Sequence, residues 1–333
     1  MKTQSVLVQS LCVPCACRCR HCLLAWDGAA VGAAWDRSAQ FALRFREWMR
    51  LHRPELRFAF AFGYAMEPPD WRTAFPLLRS LDSPQAEFLQ CDGMRIRSPE
   101  ACGELMRLFA AEDVKRLNFT FYGTPEYHDR FAGRRNDFAL LLRMMRAAED
   151  AGLDTGAGIA LTAENAAQTD ALIALLQEAG CGHISLFIPH REGRGAVLES
   201  IRFSEDDLSS LPDSAGALLN RKLYRPEREW VGEGVYTEET KRALLISLRA
   251  DNIERYEAMD PGEILREVEA LDERYYAAFP AFPELAARYG DPSGTRFYRQ
   301  RDLFHRYRCM YAAEHGVSVY DVTDERQSGS RRY

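Results

Sequence analysis

The chain has 333 residues, nine cysteines and a formal net charge of −6, from 49 acidic and 43 basic residues. This near balance argues against a protein that coats nucleic acid, and no apolar run is long enough for a membrane span or for the core of a secretory signal. We therefore expect a cytoplasmic protein, whose cysteines bind metal or take part in catalysis rather than form disulfides.

Between residues 5 and 200, apolar runs typical of buried strands alternate with amphipathic stretches typical of helices. Six strand-then-helix units without hairpin signals predict an α/β fold with a parallel sheet. The pattern fits both a partial (β/α)6 barrel and an open sheet, and in either the active site lies at the carboxyl ends of the strands. The predicted strands are 5–11, 56–62, 86–91, 114–122, 155–162 and 183–189.

Small polar residues and glycines mark the ends of the predicted helices. Ser38, Ser98 and Asn136 are predicted caps, another helix begins at Asp70, and Gly152 and Gly180 end two more.

Beyond residue 200 the alternation ends, and an irregular, charged and aromatic stretch is followed by predicted helices. One helix is predicted to begin at Thr237, a second to begin at Asp260, and a third to extend over 295–316. A short strand is predicted at 317–322. We therefore predict two domains, a barrel over residues 1–200 and an α-rich lid or substrate region over 201–333.

Five of the nine cysteines lie between residues 12 and 22, directly after the first predicted strand. Two Cys-x2-Cys knuckles for zinc would start at Cys12 and Cys19, but only three residues separate them, too few for each to fold its own turn. The bacterial ferredoxin order C-x2-C-x2-C-x3-C is absent. A third choice is C-x3-C-x2-C, which leaves one iron of a four-iron cluster without a thiolate, as in catalytic metal sites. Its cysteines are Cys15, Cys19 and Cys22.

This spacing, in the loop after the first strand of a βα repeat, resembles the radical S-adenosylmethionine (radical SAM) superfamily. The resemblance implies one 4Fe-4S cluster held by these three cysteines, with SAM bound to the fourth iron through its amino and carboxylate groups. His21 occupies the aromatic position that the family usually has before the last cysteine.

Further segments resemble the family in the same order along the chain. "FGYAMEPP" (62–69) corresponds to the family's Gly-Gly-Glu-Pro, with Ala65 and Met66 in place of the glycines, and implies that this backbone and Glu67 meet the SAM amino group. "LQCDGMRI" (89–96) corresponds to Thr-Asn-Gly. Two more contacts follow from the resemblance, the SAM carboxylate for Thr120 and the ribose for Asn165. Arg194 follows the sixth predicted strand, so it either meets the SAM ribose or a substrate carboxylate or belongs to a solvated basic turn.

The resemblance also implies the reaction. An electron from a flavodoxin or ferredoxin would lead to cleavage of SAM into methionine and a 5′-deoxyadenosyl radical, which takes a hydrogen atom from an unactivated C–H bond. Residues 118–138 resemble the peptide- and sulfatase-maturing branch, which favours a peptide or natural-product precursor as substrate. A sugar or other small molecule, converted by an epimerase or isomerase, is the alternative substrate. A non-catalytic metal-binding protein is the alternative of another class.

The cysteines outside the cluster are too scattered for the auxiliary clusters of that branch, which favours epimerisation, rearrangement or cross-linking over dehydrogenation. Cys309, one helical turn after His305, and Cys91, at the end of the third strand, are candidate hydrogen donors. The alternative for each is a small buried hydrophobic residue. His128 and Asp129 either orient the substrate or stabilise their loop.

Overall fold

The structure is a computed structural model. It describes residues 3–10, 15–22, 33–62, 67–68, 70–191, 193–237 and 242–317. Among these residues, no helix combines the length and the apolar character that a membrane crossing needs.

The described residues form nine strands, of which seven are parallel to their neighbours. They are β1 (Thr3–Ser10), β2 (Arg57–Phe62), β3 (Phe88–Gln90), β4 (Arg116–Phe121), β5 (Asp154–Ala160), β6 (His183–Phe187), β7 (Tyr224–Pro226), β8 (Arg242–Leu248) and β9 (Phe297–Arg299).

Twelve α-helices belong to the same part of the chain. They are α1 (Trp35–His52), α2 (Trp71–Ser80), α3 (Pro99–Ala111), α4 (Pro125–Ala132), α5 (Asp137–Asp150), α6 (Thr169–Glu178), α7 (Asp213–Gly216), α8 (Glu227–Glu233), α9 (Ile253–Ala258), α10 (Pro261–Ala278), α11 (Phe282–Tyr289) and α12 (Gln300–His315).

The first six strands confirm the predicted α/β fold, a partial barrel of parallel strands. Together with β8 they form two sheets, with the strand orders β2–β1–β8 and β3–β4–β5–β6. Side chains bridge the gap between β2 and β3: Gln85 exchanges two 2.8 Å hydrogen bonds with the backbone N–H and C=O of Phe62, and Ser83 donates to Phe60 O at 2.8 Å. These bonds take the place of strand pairing between the two sheets.

The side chains of β4 explain which face of the sheet the helices cover. Leu117, Phe119 and Phe121 are buried in the main hydrophobic core together with apolar residues of α3 and α5. Asn118 and Thr120 alternate with them and are only partly buried, so they line the inner face of the barrel.

The prediction of a helix beginning at Thr237 is wrong. The segment that follows contains β8, which runs parallel to β1 with Val6 beside Leu244 and Val8 beside Ile246. A short apolar run does not distinguish a strand from a buried helix by periodicity, and only the free edge of β1 makes this run a strand. On the opposite edge, Leu219 forms an isolated parallel bridge with Leu186 of β6.

Most predicted helix ends are confirmed, and two caps are corrected. Asp70 and Ser98 accept from the first turns of α2 and α3, and Gly152 follows α5 with φ +74°. Ser38 lies inside α1, and its hydroxyl bonds to Ser10 at 2.8 Å instead of capping. Asn136 precedes α5, but the carboxylate of Asp129 caps this helix by accepting from the backbone N–H of Asn136 and Phe138.

Residues beyond 200 form helices around a second, aromatic core. This core includes Trp230 of α8, Phe282 of α11 and Tyr307 of α12. The short antiparallel pair of β7 and β9 adjoins it. Because β8 also belongs to this part of the chain, the predicted division at residue 200 stays a prediction.

Candidate functional site

The cysteine loop, residues 15–22, lies beyond the carboxyl end of β1, where the sequence predicts the active site. Its backbone is held by neighbouring segments. Ala16 N donates to Gly93 O at 2.8 Å, and Arg18 N donates to Ala132 O at 2.9 Å, after β3 and at the end of α4. Gly133, at φ +65°, allows this approach, because an added Cβ would lie 2.9 Å from Arg18 O.

The three predicted cluster ligands are reduced cysteines and are partly buried. Cys22 N donates to Cys19 O at 3.2 Å, which turns the loop between these two ligands. The hydroxyl of Tyr122 donates to Cys19 Sγ at 3.4 Å. A hydrogen bond from Cys17 lowers the pKa of Cys15, against the effect of burial.

Cys17 lies between two of these ligands in the sequence, and its side chain points toward them. Its thiol is buried, hydrogen-bonds toward Cys15 and Cys19, and lies 3.6 Å from Asp137 Oδ2. Those contacts raise the pKa of Cys17 above its ordinary value. Cys12 lies outside the described residues.

The predicted cluster ligands are three cysteines of one loop. Within the described part of the chain, no three His, Cys, Asp or Glu side chains converge as ligands of one metal ion must. Three soft sulfur donors in one loop suit iron–sulfur chemistry.

His21, just before Cys22, lies among aromatic rings. Its ring centroid is 5.1 Å from that of Tyr122 and 5.8 Å from that of Phe131. Burial lowers the pKa of His21 to about 4, and the charges of His190 and Arg194 add to this, so the imidazole is neutral at pH 7. Its Nδ1 has no hydrogen-bond partner among the described residues.

Arg194, in the segment after β6, contacts the cysteine loop directly. Its backbone N–H donates to Cys22 O, and its side-chain Nε donates to Cys19 O, both at 3.0 Å. The structure therefore brings Arg194, His21 and the predicted cluster ligands together. Contact with ribose or substrate stays a prediction.

Glu67 is held by two arginines after β3. Its carboxylate accepts from Arg95 N at 2.6 Å and forms ion pairs with the side chains of Arg95 and Arg97. Ala65 and Met66 lie outside the described residues. The predicted contact of this segment with the SAM amino group stays a prediction.

Thr120, at the inner end of β4, is bonded to Asp92. Asp92 accepts from Thr120 N at 2.7 Å and from Thr120 Oγ1 at 2.6 Å, and Gln90 Nε2 donates to Asp92 as well. Burial raises the pKa of Asp92 to about 6 in spite of these bonds. The hydroxyl predicted to meet the SAM carboxylate thus already has a carboxylate partner.

Asn165 is buried, and the backbone around it uses its amide. Nδ2 donates to Tyr122 O at 2.5 Å and to Ala160 O at 2.7 Å, while Oδ1 accepts from Thr162 N at 2.8 Å. These bonds join the ends of β4 and β5. They give Asn165 a structural role, and the predicted ribose contact stays a prediction.

The two candidate hydrogen donors differ in their surroundings. Cys91 is fully buried in the main core, where burial raises the pKa of its thiol. Cys309 on α12 is partly buried, with Sγ 3.3 Å from Nε2 of His305. Neither role is tested by this geometry, although Cys309 is the more accessible of the two.

His128 and Asp129 make the contacts of the loop-stabilising alternative. His128 is buried and bonds through Nε2 to Asp137 Oδ2 at 3.1 Å, and Asp129 caps α5. The sequence alone predicts no role for Asp92, Gln90 or Asn118. Their positions are the signal that could have found them. Gln90 and Asn118 occupy inward-facing positions of β3 and β4, and Asp92 lies in the segment that follows β3.

No protein-family model and no curated protein sequence matches the chain. Among solved structures, the chain is similar to SuiB from Streptococcus suis bound to the precursor peptide SuiA, with 12% identity over 57% of this chain and 40% of that chain (TM-score 0.43). It is also similar to anSMEcpe with bound AdoMet, with 13% identity over 56% of this chain and 51% of that chain (TM-score 0.41). A third is coproporphyrinogen III oxidase (HemN) from Escherichia coli, a radical SAM enzyme, with 16% identity over 74% of this chain and 63% of that chain (TM-score 0.44).

The chain covers less than two thirds of each of these three proteins, and the similarity concerns the fold alone.

Proposed function

We propose that this chain is a radical SAM enzyme that removes a hydrogen atom from an unactivated C–H bond of its substrate. The observation that carries the proposal is the cysteine loop at the carboxyl edge of a parallel partial barrel. Cys15, Cys19 and Cys22 would hold one 4Fe-4S cluster and leave its fourth iron for SAM. When bound, the cluster and SAM supply one-electron chemistry that ordinary side chains lack.

The residues around the loop would support this chemistry without taking part in it. Arg194 fixes the backbone of the loop through Cys19 O and Cys22 O. A neutral His21 adds no charge beside the thiolates. Tyr122 donates to Cys19 Sγ, a contact of the kind that orients and tunes a metal ligand.

Two classes of substrate fit the proposal. The resemblance of residues 118–138 to the peptide-maturing branch supports a peptide or natural-product precursor. A redox-neutral conversion of a sugar or other small molecule is the second candidate, and a polar cavity on the inner face of the barrel favours it. In either case a flavodoxin or ferredoxin is the proposed electron donor.

Reconstitution without oxygen tests the proposed function. Protein supplied with iron, sulfide, SAM and dithionite should form 5′-deoxyadenosine and methionine, and C22A should abolish both products together with most of the bound iron. The control is C181A, because Cys181 is partly buried beside His183 O, away from the loop. A non-catalytic metal-binding protein would keep its metal and form neither product.

A further inference from the structure

A cavity of about 370 Å³ lies on the inner face of the sheet formed by β3, β4, β5 and β6. Its lining includes side chains that alternate along these strands toward the inside, which are Gln90, Arg116, Asn118, Thr120, His183, Ser185 and Phe187. The volume is at the small end of the range for ligand pockets, roughly 300–1,000 Å³. It suits one small molecule better than a folded peptide segment.

The polarity of this cavity is unusual for the inside of a parallel barrel, which branched apolar residues normally fill. Asn118 is partly buried and Ser185 is exposed, and neither side chain makes a hydrogen bond to another described residue. An amide offers donors and acceptors together, and a hydroxyl does the same. Two such groups on β4 and β6, the strands on either side of β5, can therefore bind a ligand without breaking protein contacts.

Glycines create the space in front of Asn118. Gly156 and Gly158 occupy the inward positions of β5. A Cβ at Gly156 would lie 2.9 Å from Asn118 Oδ1, and one at Gly158 would lie 3.3 Å from the ring of Phe187. The ring thus presents an apolar surface beside polar groups.

A layer of partly exposed charged side chains lies at the amino end of the cavity. Arg116 Nε bonds to Asp154 Oδ2 at 2.6 Å, and His183 Nε2 lies 3.2 Å from the same oxygen. Because the arginine and the aspartate compensate each other, this layer favours a neutral, hydrogen-bonding ligand over a strong anion.

Segments from beyond residue 200 pair with both edges of the barrel. β8 lies beside β1, and Leu219 bridges to Leu186 of β6. They extend the wall of the barrel beyond its first six strands at both edges.

We propose that the substrate is a hydroxyl-rich molecule of about monosaccharide size, bound by Asn118 and Ser185 with the face of its ring against Phe187. Mixed donors and acceptors beside an aromatic ring match the alternating hydroxyl and C–H surfaces of a pyranose. The inference rests on the proposed function, because it names the substrate of the same site. The sugar can be free or attached to a nucleotide that stays outside the cavity.

Binding is measured on the full chain carrying its cluster, before reductant is added, by calorimetry and saturation-transfer NMR. The probes are glucose, N-acetylglucosamine and UDP-glucose, with the tripeptide Gly-Ser-Ala for comparison. We expect at least one sugar probe to bind, and G156A, which adds a Cβ against Asn118, to weaken it by about tenfold or more. G216A is the matched control, because a Cβ at Gly216 meets nothing within 4 Å.

S185A provides a second variant at an exposed position, so its effect does not depend on folding. A preference for UDP-glucose over both free sugars would assign the nucleotide-linked form, and the reverse would assign the free form. The inference is overturned if no sugar probe binds, if G156A and S185A bind as well as the original chain, or if the tripeptide displaces the sugar. Formation of 5′-deoxyadenosine is scored separately, so either proposal can fail alone.

Discussion

Asn165 joins the ends of β4 and β5 through Tyr122 O and Ala160 O. We expect N165A to lower the free energy of unfolding by about 2 kcal/mol, because two buried carbonyl groups lose their donor. Urea unfolding measures this, with N220A as the control, since Asn220 is exposed and accepts only from its local backbone. Unchanged stability together with weaker SAM binding would instead make Asn165 a ribose contact.

Asp92 makes the stability of the fold depend on pH, because the hydrogen bonds that it accepts do not offset the effect of burial on its pKa. Its pKa is raised by burial from 3.8 to about 6, so the folded chain keeps this proton where the unfolded chain has lost it. Stability from this group is complete below pH 4 and is lost as the pH rises through 6, by an amount on the order of 3 kcal/mol.

D92N removes this titration while keeping a polar side chain. Urea unfolding from pH 4 to 7 should therefore show a smaller loss of stability in D92N than in the original chain. An equal loss of stability from pH 4 to 7 in both proteins would contradict the raised pKa of Asp92.

For individual residues, the sequence predicts best the features that depend on the spacing of nearby residues. The cysteine loop and the position of His21 follow from twelve consecutive residues. The partners of Glu67 and Thr120 do not, because Arg95, Arg97 and Asp92 lie in other segments of the chain. Asn165 was predicted to contact a ligand, yet tertiary structure supplies the backbone groups that occupy its amide.

Helix α12 is one of the elements that link the two parts of the chain. Its buried Asp302 accepts from His190 Nδ1 at 2.8 Å, and His190 belongs to the segment whose Arg194 holds the cysteine loop. We expect D302A to lower the free energy of unfolding by about 2–3 kcal/mol, because a buried hydrogen bond to a charged group is lost. It should also speed hydrogen exchange at the Arg194 amide, which bonds to Cys22 O.

E314A is the matched control on the same helix. Glu314 pairs with Arg288 at the exposed end of α12, where solvent screens the interaction. We expect little change in stability and none in exchange at Arg194. Equal effects of the two variants would show that α12 does not position the loop.

Among the elements, capped amphipathic helices were predictable because their signals are local. Ser98 with Pro99 and the glycine after α5 are examples. β8 was not predictable, because "RALLISL" acquires its strand conformation from the edge of β1, some 230 residues earlier in the sequence.

For the whole molecule, β8 makes the barrel depend on residues beyond 200. A chain ending at residue 200 loses the strand that pairs with Ser5–Ser10 of β1 and exposes that edge. We expect it to lack a cooperative unfolding transition in calorimetry, whereas a chain ending at residue 317, which keeps β8, should unfold cooperatively. Cooperative unfolding of the shorter chain would confirm residues 1–200 as an independent domain.

The proposed function depends on one iron of the cluster that no protein thiolate binds. Mössbauer spectroscopy of protein prepared without oxygen with ⁵⁷Fe tests it most directly. We predict one four-iron cluster per chain, in which a single iron changes its spectrum when SAM is added. Zinc in place of iron, or four thiolate-bound irons that do not respond to SAM because Cys12 or Cys17 supplies a fourth ligand, would contradict the account.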